Sequence, residues 1–215
     1  MRKVPLVEKE FYHIYNRGVD KRDIFLDVDD LNRFLKSMRE FNVINPIGSI
    51  YENRNRERVR GRQASTSREK PLVNFIVYGT NRNHFHFILE QLIDGGISEF
   101  MKRLGGGYTW YFNNRHKRNG SLFQGSFKSI LADKNEYLLH LSAYVNLNNR
   151  IHQRGGLTAT LVRSSWDEYL NNKKSFSLCA KDIILSQFKN NEEYRSFAES
   201  SLEEILRRRE EEEIS

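Results

Sequence analysis

Two histidines one residue apart, His84-Phe85-His86, stand in a stretch whose apolar neighbours read as a strand. On a strand, residues i and i+2 share a face, so both imidazoles can converge on one ion while Phe85 packs behind them. Such a pair by itself more often marks no site than a metal, so a second element has to join it. A helical pattern from Asp133 to about His152 offers one. At the helical period Tyr137, Leu138, Leu141, Tyr144, Val145 and Asn148 fall in one stripe that should face a sheet. Tyr144 and Asn148 lie one turn apart on it, placing a hydroxyl and an amide where an apolar pair is expected. A buried amide without a partner costs on the order of 1–3 kcal/mol. Asn148 therefore needs either a polar partner or solvent at the helix edge.

The elements that must hold these residues follow from periodicity. Phe11–Asn16 alternates as a strand, with Tyr12, Ile14 and Asn16 on one face and Phe11, His13 and Tyr15 on the other. Leu31, Phe34, Leu35, Met38 and Phe41 mark an amphipathic helix, with Asp27, Asp29 and Asp30 at its positive end and Asn45-Pro46 as its break. Leu72–Tyr78 and His84–Gln91 read as a hairpin turning at Gly79–Asn83. A helix from about Ser98 to His116 is interrupted in pattern by Gly105-Gly106-Gly107, which should either bend it or admit something against its backbone. Phe127–Ala132 is a further strand, and Asp133 is the expected cap of the Tyr144 helix. The order β, α, β, β, α, β, α predicts an α+β, ferredoxin-like antiparallel sheet with helices on one face. Residues 1–155 form the expected domain. Residues 156–215 read as a C-terminal tail of short helices.

Composition narrows the partners. The chain of 215 residues carries 35 Lys and Arg against 28 Asp and Glu, a net charge of +7, which favours a polyanion. Residues 51–70 hold seven basic and three acidic side chains and almost no apolar ones, so they read as a loop able to close over a DNA backbone. Residues 101–120 hold Lys102, Arg103, Arg115, Lys117 and Arg118 with no acid, close to Tyr108, Trp110 and Tyr111. Basic charge among aromatics suits single-stranded nucleic acid. No apolar run is long enough to span a bilayer, and the lone Cys179 excludes internal disulfides and cysteine-built zinc sites. Met1–Glu10 is polar and without an apolar signal segment, so the expected compartment is the cytoplasm.

Longer motifs make the pattern specific. Tyr12-His13-Ile14-Tyr15-Asn16-Arg17-Gly18, Asn83-His84-Phe85-His86-Phe87-Ile88-Leu89, Leu122-Phe123-Gln124-Gly125-Ser126-Phe127-Lys128, Tyr144-Val145-Asn146-Leu147-Asn148 and Ser164-Ser165-Trp166-Asp167-Glu168-Tyr169 occur in this order. Over about residues 10–200 the chain resembles the single-tyrosine transposases of the HUH endonuclease class, REP-associated tyrosine transposases in particular. It departs in having Asn149 where many relatives carry proline, and in the longer, more basic insertion at 51–70.

The resemblance implies the HUH endonuclease fold and a metal-dependent nicking and rejoining of single-stranded DNA near hairpin ends. Tyr144 would attack a phosphodiester, leaving a 5′-phosphotyrosine and a free 3′-OH. His84, His86 and Asn148 would hold Mg²⁺ or Mn²⁺, mixed N/O ligation that suits those ions. The bond energy stays in the covalent intermediate, so no nucleotide cofactor is expected. Arg17, Arg82, Lys102, Arg103, Gln124 and Lys128 are the expected DNA contacts. Relatives act as dimers or monomers, which leaves a homodimer as one expected state. Two rival functions stand beside this one: a catalytically inactive, domesticated hairpin-DNA-binding protein, and a His-x-His metallohydrolase for a small substrate, which the basic surface disfavours. Among other candidates, His13 reads as a core histidine, His140 lies off the Tyr144 stripe, His152 as a solvent-exposed helix end, and Tyr137 as a second-ranked nucleophile.

Overall fold

The first strand pattern forms β1 (Phe11–Arg17), with Tyr12 and Ile14 buried. It belongs to a computed structural model that describes residues 5–50, 70–152, 161–170 and 178–214. The basic insertion thus lies, but for Lys70, outside the described residues. After a 3-10 turn at Val19–Lys21 comes α1 (Val28–Glu40). Asp27 caps this helix by accepting the backbone N–H of Asp30 at 3.0 Å, and Leu31, Phe34 and Met38 are its buried stripe. It ends at Glu40, before the Asn45-Pro46 break.

β2 (Val73–Asn81) and β3 (His84–Gln91) form the hairpin, but its connection is only Arg82-Asn83. Gly79, Thr80 and Asn81 continue the ladder opposite His86, Phe85 and His84, so the turn expected from Gly79 onward starts three residues later. With β4 (Lys128–Leu131) and β5 (Arg163–Ser164) they build one antiparallel sheet in the order β4-β1-β3-β2-β5. The first four strands in that order are the ferredoxin-like arrangement, with β5 added at the β2 edge, and the class is α+β.

Helices cover both faces, not one. On the first face, Phe34 of α1 lies 5.4 Å from Phe85, and Phe100 of α2 (Gly96–Arg115) lies 5.4 Å from Phe75, ring centre to ring centre. α2 runs unbroken through its three glycines because Phe100, Met101, Leu104, Tyr108 and Phe112 are buried along it. Burial worth about 1.5–3 kcal/mol for each large side chain outweighs about 1 kcal/mol per glycine. At Gly107 a Cβ would lie 2.7 Å from the Phe41 ring, so one of the three admits a neighbour, as the sequence suggested.

On the opposite face sits α3 (Asn135–Asn146), followed by α4 (Asn148–His152). The single helix expected from Asp133 to His152 is therefore two. Lys134, with no side-chain bond, stands at the N-cap in place of Asp133, and Leu147 leaves helical geometry at φ −105°, ψ 9°. The C-terminal part contributes α5 (Trp166–Leu170), α6 (Asp182–Leu185) and α7 (Asn191–Ile214). Tyr194 of α7 is fully buried, and its hydroxyl accepts from Asn146 Nδ2 at 2.9 Å. Ser165 Oγ donates to Asn146 Oδ1 at 2.6 Å and accepts from the Tyr78 N–H at 3.1 Å. This network ties the end of α3 to β2. Among the described residues no helix is long and apolar enough to cross a membrane.

Candidate active site

Cross-strand register assembles the site in two rows on the α3 face of the sheet. Lys128, Tyr15, His86 and Gly79 pair in sequence across β4, β1, β3 and β2. Arg17, His84 and Asn81 form the adjacent row on β1, β3 and β2. Phe85 and Phe87 point into the other face, where Phe34 packs on both, which fixes the histidines on this one. Gly79 lets α3 come close: a Cβ there would lie 2.5 Å from the carbonyl oxygen of Val145. That approach brings half-buried Tyr144 edge-on to His86, with ring centres 5.6 Å apart at 82°.

His86 is held by a partner that sequence reasoning assigned to the core. His13 Nε2 and His86 Nδ1 lie 2.9 Å apart, and the rings stack at 5.1 Å. His13 is buried, and burial lowers its pKa to about 4, so the ring is neutral at physiological pH. A single proton lies between the two nitrogens at that contact. If His86 donates it from Nδ1, Nε2 carries the lone pair that an ion would use. Tyr15 also stacks against His86 at 5.7 Å and lies 4.9 Å from the His13 ring, so the three rings form one cluster. Tyr137, near the N-terminal end of α3, is 38% exposed, and burial first, then the charges of Tyr15, Asp133 and Tyr144, raise its hydroxyl pKa above the ordinary value. His140 points elsewhere, bonding Ser201 Oγ at 3.0 Å and packing on Phe197. The His152 side chain lies outside the described residues.

The break at Leu147 turns Asn148 inward. Its Oδ1 accepts from Asn81 Nδ2 at 2.5 Å and lies 3.3 Å from His84 Nε2, while Asn81 Nδ2 is 3.0 Å from the same His84 nitrogen. His84 Nδ1 is 2.6 Å from Asn83 Oδ1, which holds the proton on that side and leaves Nε2 as an acceptor. Two lone pairs, one on nitrogen and one on oxygen, thus converge on a single electropositive amide nitrogen. Asn148 Nδ2 is buried and has no hydrogen-bond partner among the described residues. A divalent cation fits this donor set, and it would displace the Asn81 amide from between the two. Among the described residues no three His, Cys, Asp or Glu side chains gather into a cluster. Asn81, His13, Tyr15 and Gly79 are the residues missed from sequence. Strand alternation placed His13 with Tyr15 on one face but gave no sign that its ring meets His86, which pairs across the strands with Tyr15.

The histidines open onto a cavity of about 1100 Å³ lined also by Arg17, Lys21, Arg82, Lys128 and Gln124. Four of the six expected DNA contacts therefore surround it. Arg17 Nε donates to Gln124 Oε1, and Arg82 Nη2 pairs with Asp23 at 2.5 Å. The other two do not reach it. Arg103 is taken up by Glu99 at 2.8 Å and by the carbonyls of Val43 and Ile44 at 2.5 and 3.1 Å. Lys102 lines a separate groove.

The family model described as "Transposase IS200 like" matches residues 50–148, a little under half of the chain. That stretch contains His84, His86, Tyr144 and Asn148, so the resemblance read from the motifs is supported where the site is built. No curated protein matches. Among solved structures the chain is similar to one titled "Structure of the REP associates tyrosine transposase bound to a REP hairpin". The identity is 12% over 80% of this chain and 85% of that one, with a TM-score of 0.47.

Proposed function

We propose that this protein is a transposase that nicks and rejoins single-stranded DNA beside hairpin ends, with Tyr144 as the nucleophile. The observation that carries the reading is the approach of Tyr144 to His86 within one chain, beside a cavity lined by basic side chains. Arg17 and Lys128 draw the phosphate backbone to the sheet, and Gln124 holds the Arg17 guanidinium. His84, His86 and Asn148 would hold Mg²⁺ or Mn²⁺, whose charge would polarise the scissile phosphate. His13 orients His86, and Asn83 orients His84.

The Tyr144 hydroxyl forms a bond to phosphorus and releases its proton to solvent, while the phosphorus–3′-oxygen bond breaks and that oxygen takes up a proton. The 5′-phosphotyrosine so formed preserves a bond of similar energy, and attack by a second 3′-OH rejoins the strand. Because tyrosine and histidines face each other in one chain, the site needs no second subunit. The test uses 5′- and 3′-labelled hairpin oligonucleotides with randomised flanks, incubated with protein and Mg²⁺ or Mn²⁺. An SDS-resistant adduct that disappears in Tyr144→Phe is the expected result. Tight binding with no adduct on any member of the library points instead to a catalytically inactive DNA-binding protein.

A further inference from the structure

Trp110, 66% exposed, is the most open of the large apolar side chains among the described residues. It stands on α2 one turn beyond Gly106, which stands one turn beyond Lys102, so the three share one helical face. A Cβ at Gly105 or Gly106 would meet nothing within 4 Å. Neither crowding nor backbone angle requires glycine there, unlike Gly107 under the Phe41 ring. Bare backbone therefore separates an ammonium from an indole. This strip walls a groove of about 660 Å³ whose other side includes Ser121, Gly125 and Phe127. Asn16 lines both this groove and the histidine cavity, so the two are neighbours. The neighbouring aromatics are otherwise engaged: Tyr108 is buried and donates to the Ile24 carbonyl at 2.6 Å, and Tyr111 lies under Arg33 and bonds Arg115.

We propose that this groove is a nucleotide subsite for the single-stranded part of the DNA substrate. An unpaired base stacks on the Trp110 indole, its sugar passes over Gly105 and Gly106, and its phosphate meets Lys102. Lys102 lines the groove, is 80% exposed and among the described residues pairs at 3.7 Å with Glu99. A π-face accepts every base, so the subsite adds affinity without sequence preference. The inference rests on the DNA reading above and extends it to a surface remote from the histidines.

The test measures binding of the full-length protein to a fluorescein-labelled oligothymidylate of about 15 nucleotides at low salt. Trp110→Ala should weaken binding about ten-fold, and Trp110→Phe should retain most of it. Intrinsic fluorescence of the wild type should be quenched on binding, and the quench should vanish in Trp110→Phe, where only Trp166 remains. Gly106→Leu should raise Tm by roughly 2–4 °C through better helix propensity, while weakening binding several-fold by filling the groove. Unchanged affinity in both Trp110→Ala and Gly106→Leu overturns the subsite and leaves the DNA reading standing. Failure of the wild type to bind the oligonucleotide overturns both.

Discussion

Gly79→Ala places a methyl group where α3 rests on β2. Its Cβ would lie 2.5 Å from the carbonyl oxygen of Val145, against 3.4 Å for ordinary contact. Both groups are backbone-fixed, so α3 must retreat or β2 must bow by close to an ångström. Val145 is the residue after Tyr144, and the displacement carries the tyrosine away from His86. A misplacement of about 1 Å can lower a rate about 10²-fold, equivalent to about 2.7 kcal/mol. Overpacking of this kind destabilises by about 1–3 kcal/mol, or roughly 2–12 °C in Tm for a chain of this size. Single-turnover adduct formation on a cleavable hairpin, beside a thermal melt, reads both quantities. DNA affinity should hold, since Arg17 and Lys128 stand on β1 and β4. An adduct rate and Tm equal to wild type would refute the claim that the Gly79 contact sets the Tyr144 position.

Asn148→Ala removes the oxygen that faces His84, so metal-dependent cleavage should fall at limiting Mn²⁺ while hairpin binding is retained. Undiminished cleavage would assign the third donor elsewhere. Lys128→Ala should reduce the slope of log K against log salt by about 0.7, whereas Arg103→Ala should leave the slope unchanged and lower Tm, because Arg103 bonds Glu99 and two carbonyls. Tyr194→Phe strips the acceptor from buried Asn146 Nδ2 and should destabilise by about 1–3 kcal/mol in denaturant unfolding.

Much of this arrangement was legible in the sequence. The period-2 pattern around His84 and His86 fixed both on one face, and the helical stripe placed Tyr144 toward the sheet. The break at Leu147 left no sign, because no glycine or proline marks it and the polar bonds of Asn148 to Asn81 and His84 are long-range. Gly79 misled because glycine signals turns, whereas here its missing side chain serves a helix–sheet contact. His13 looked like core because its role depends on β1–β3 register, which alternation cannot supply. The three glycines of α2 predicted an interruption that burial of Leu104 and Tyr108 overrides.

Tyr15 and Tyr144 pack against His86, Tyr137 interacts electrostatically with both, and Tyr144 alone is proposed as the nucleophile. Tryptic mapping by mass spectrometry of the covalent protein–DNA adduct, after nuclease trimming, locates the modified residue directly. A 5′-phosphonucleotide on Tyr144 is the predicted result. The same mass on Tyr137 or Tyr15, with Tyr144 unmodified, would contradict the account.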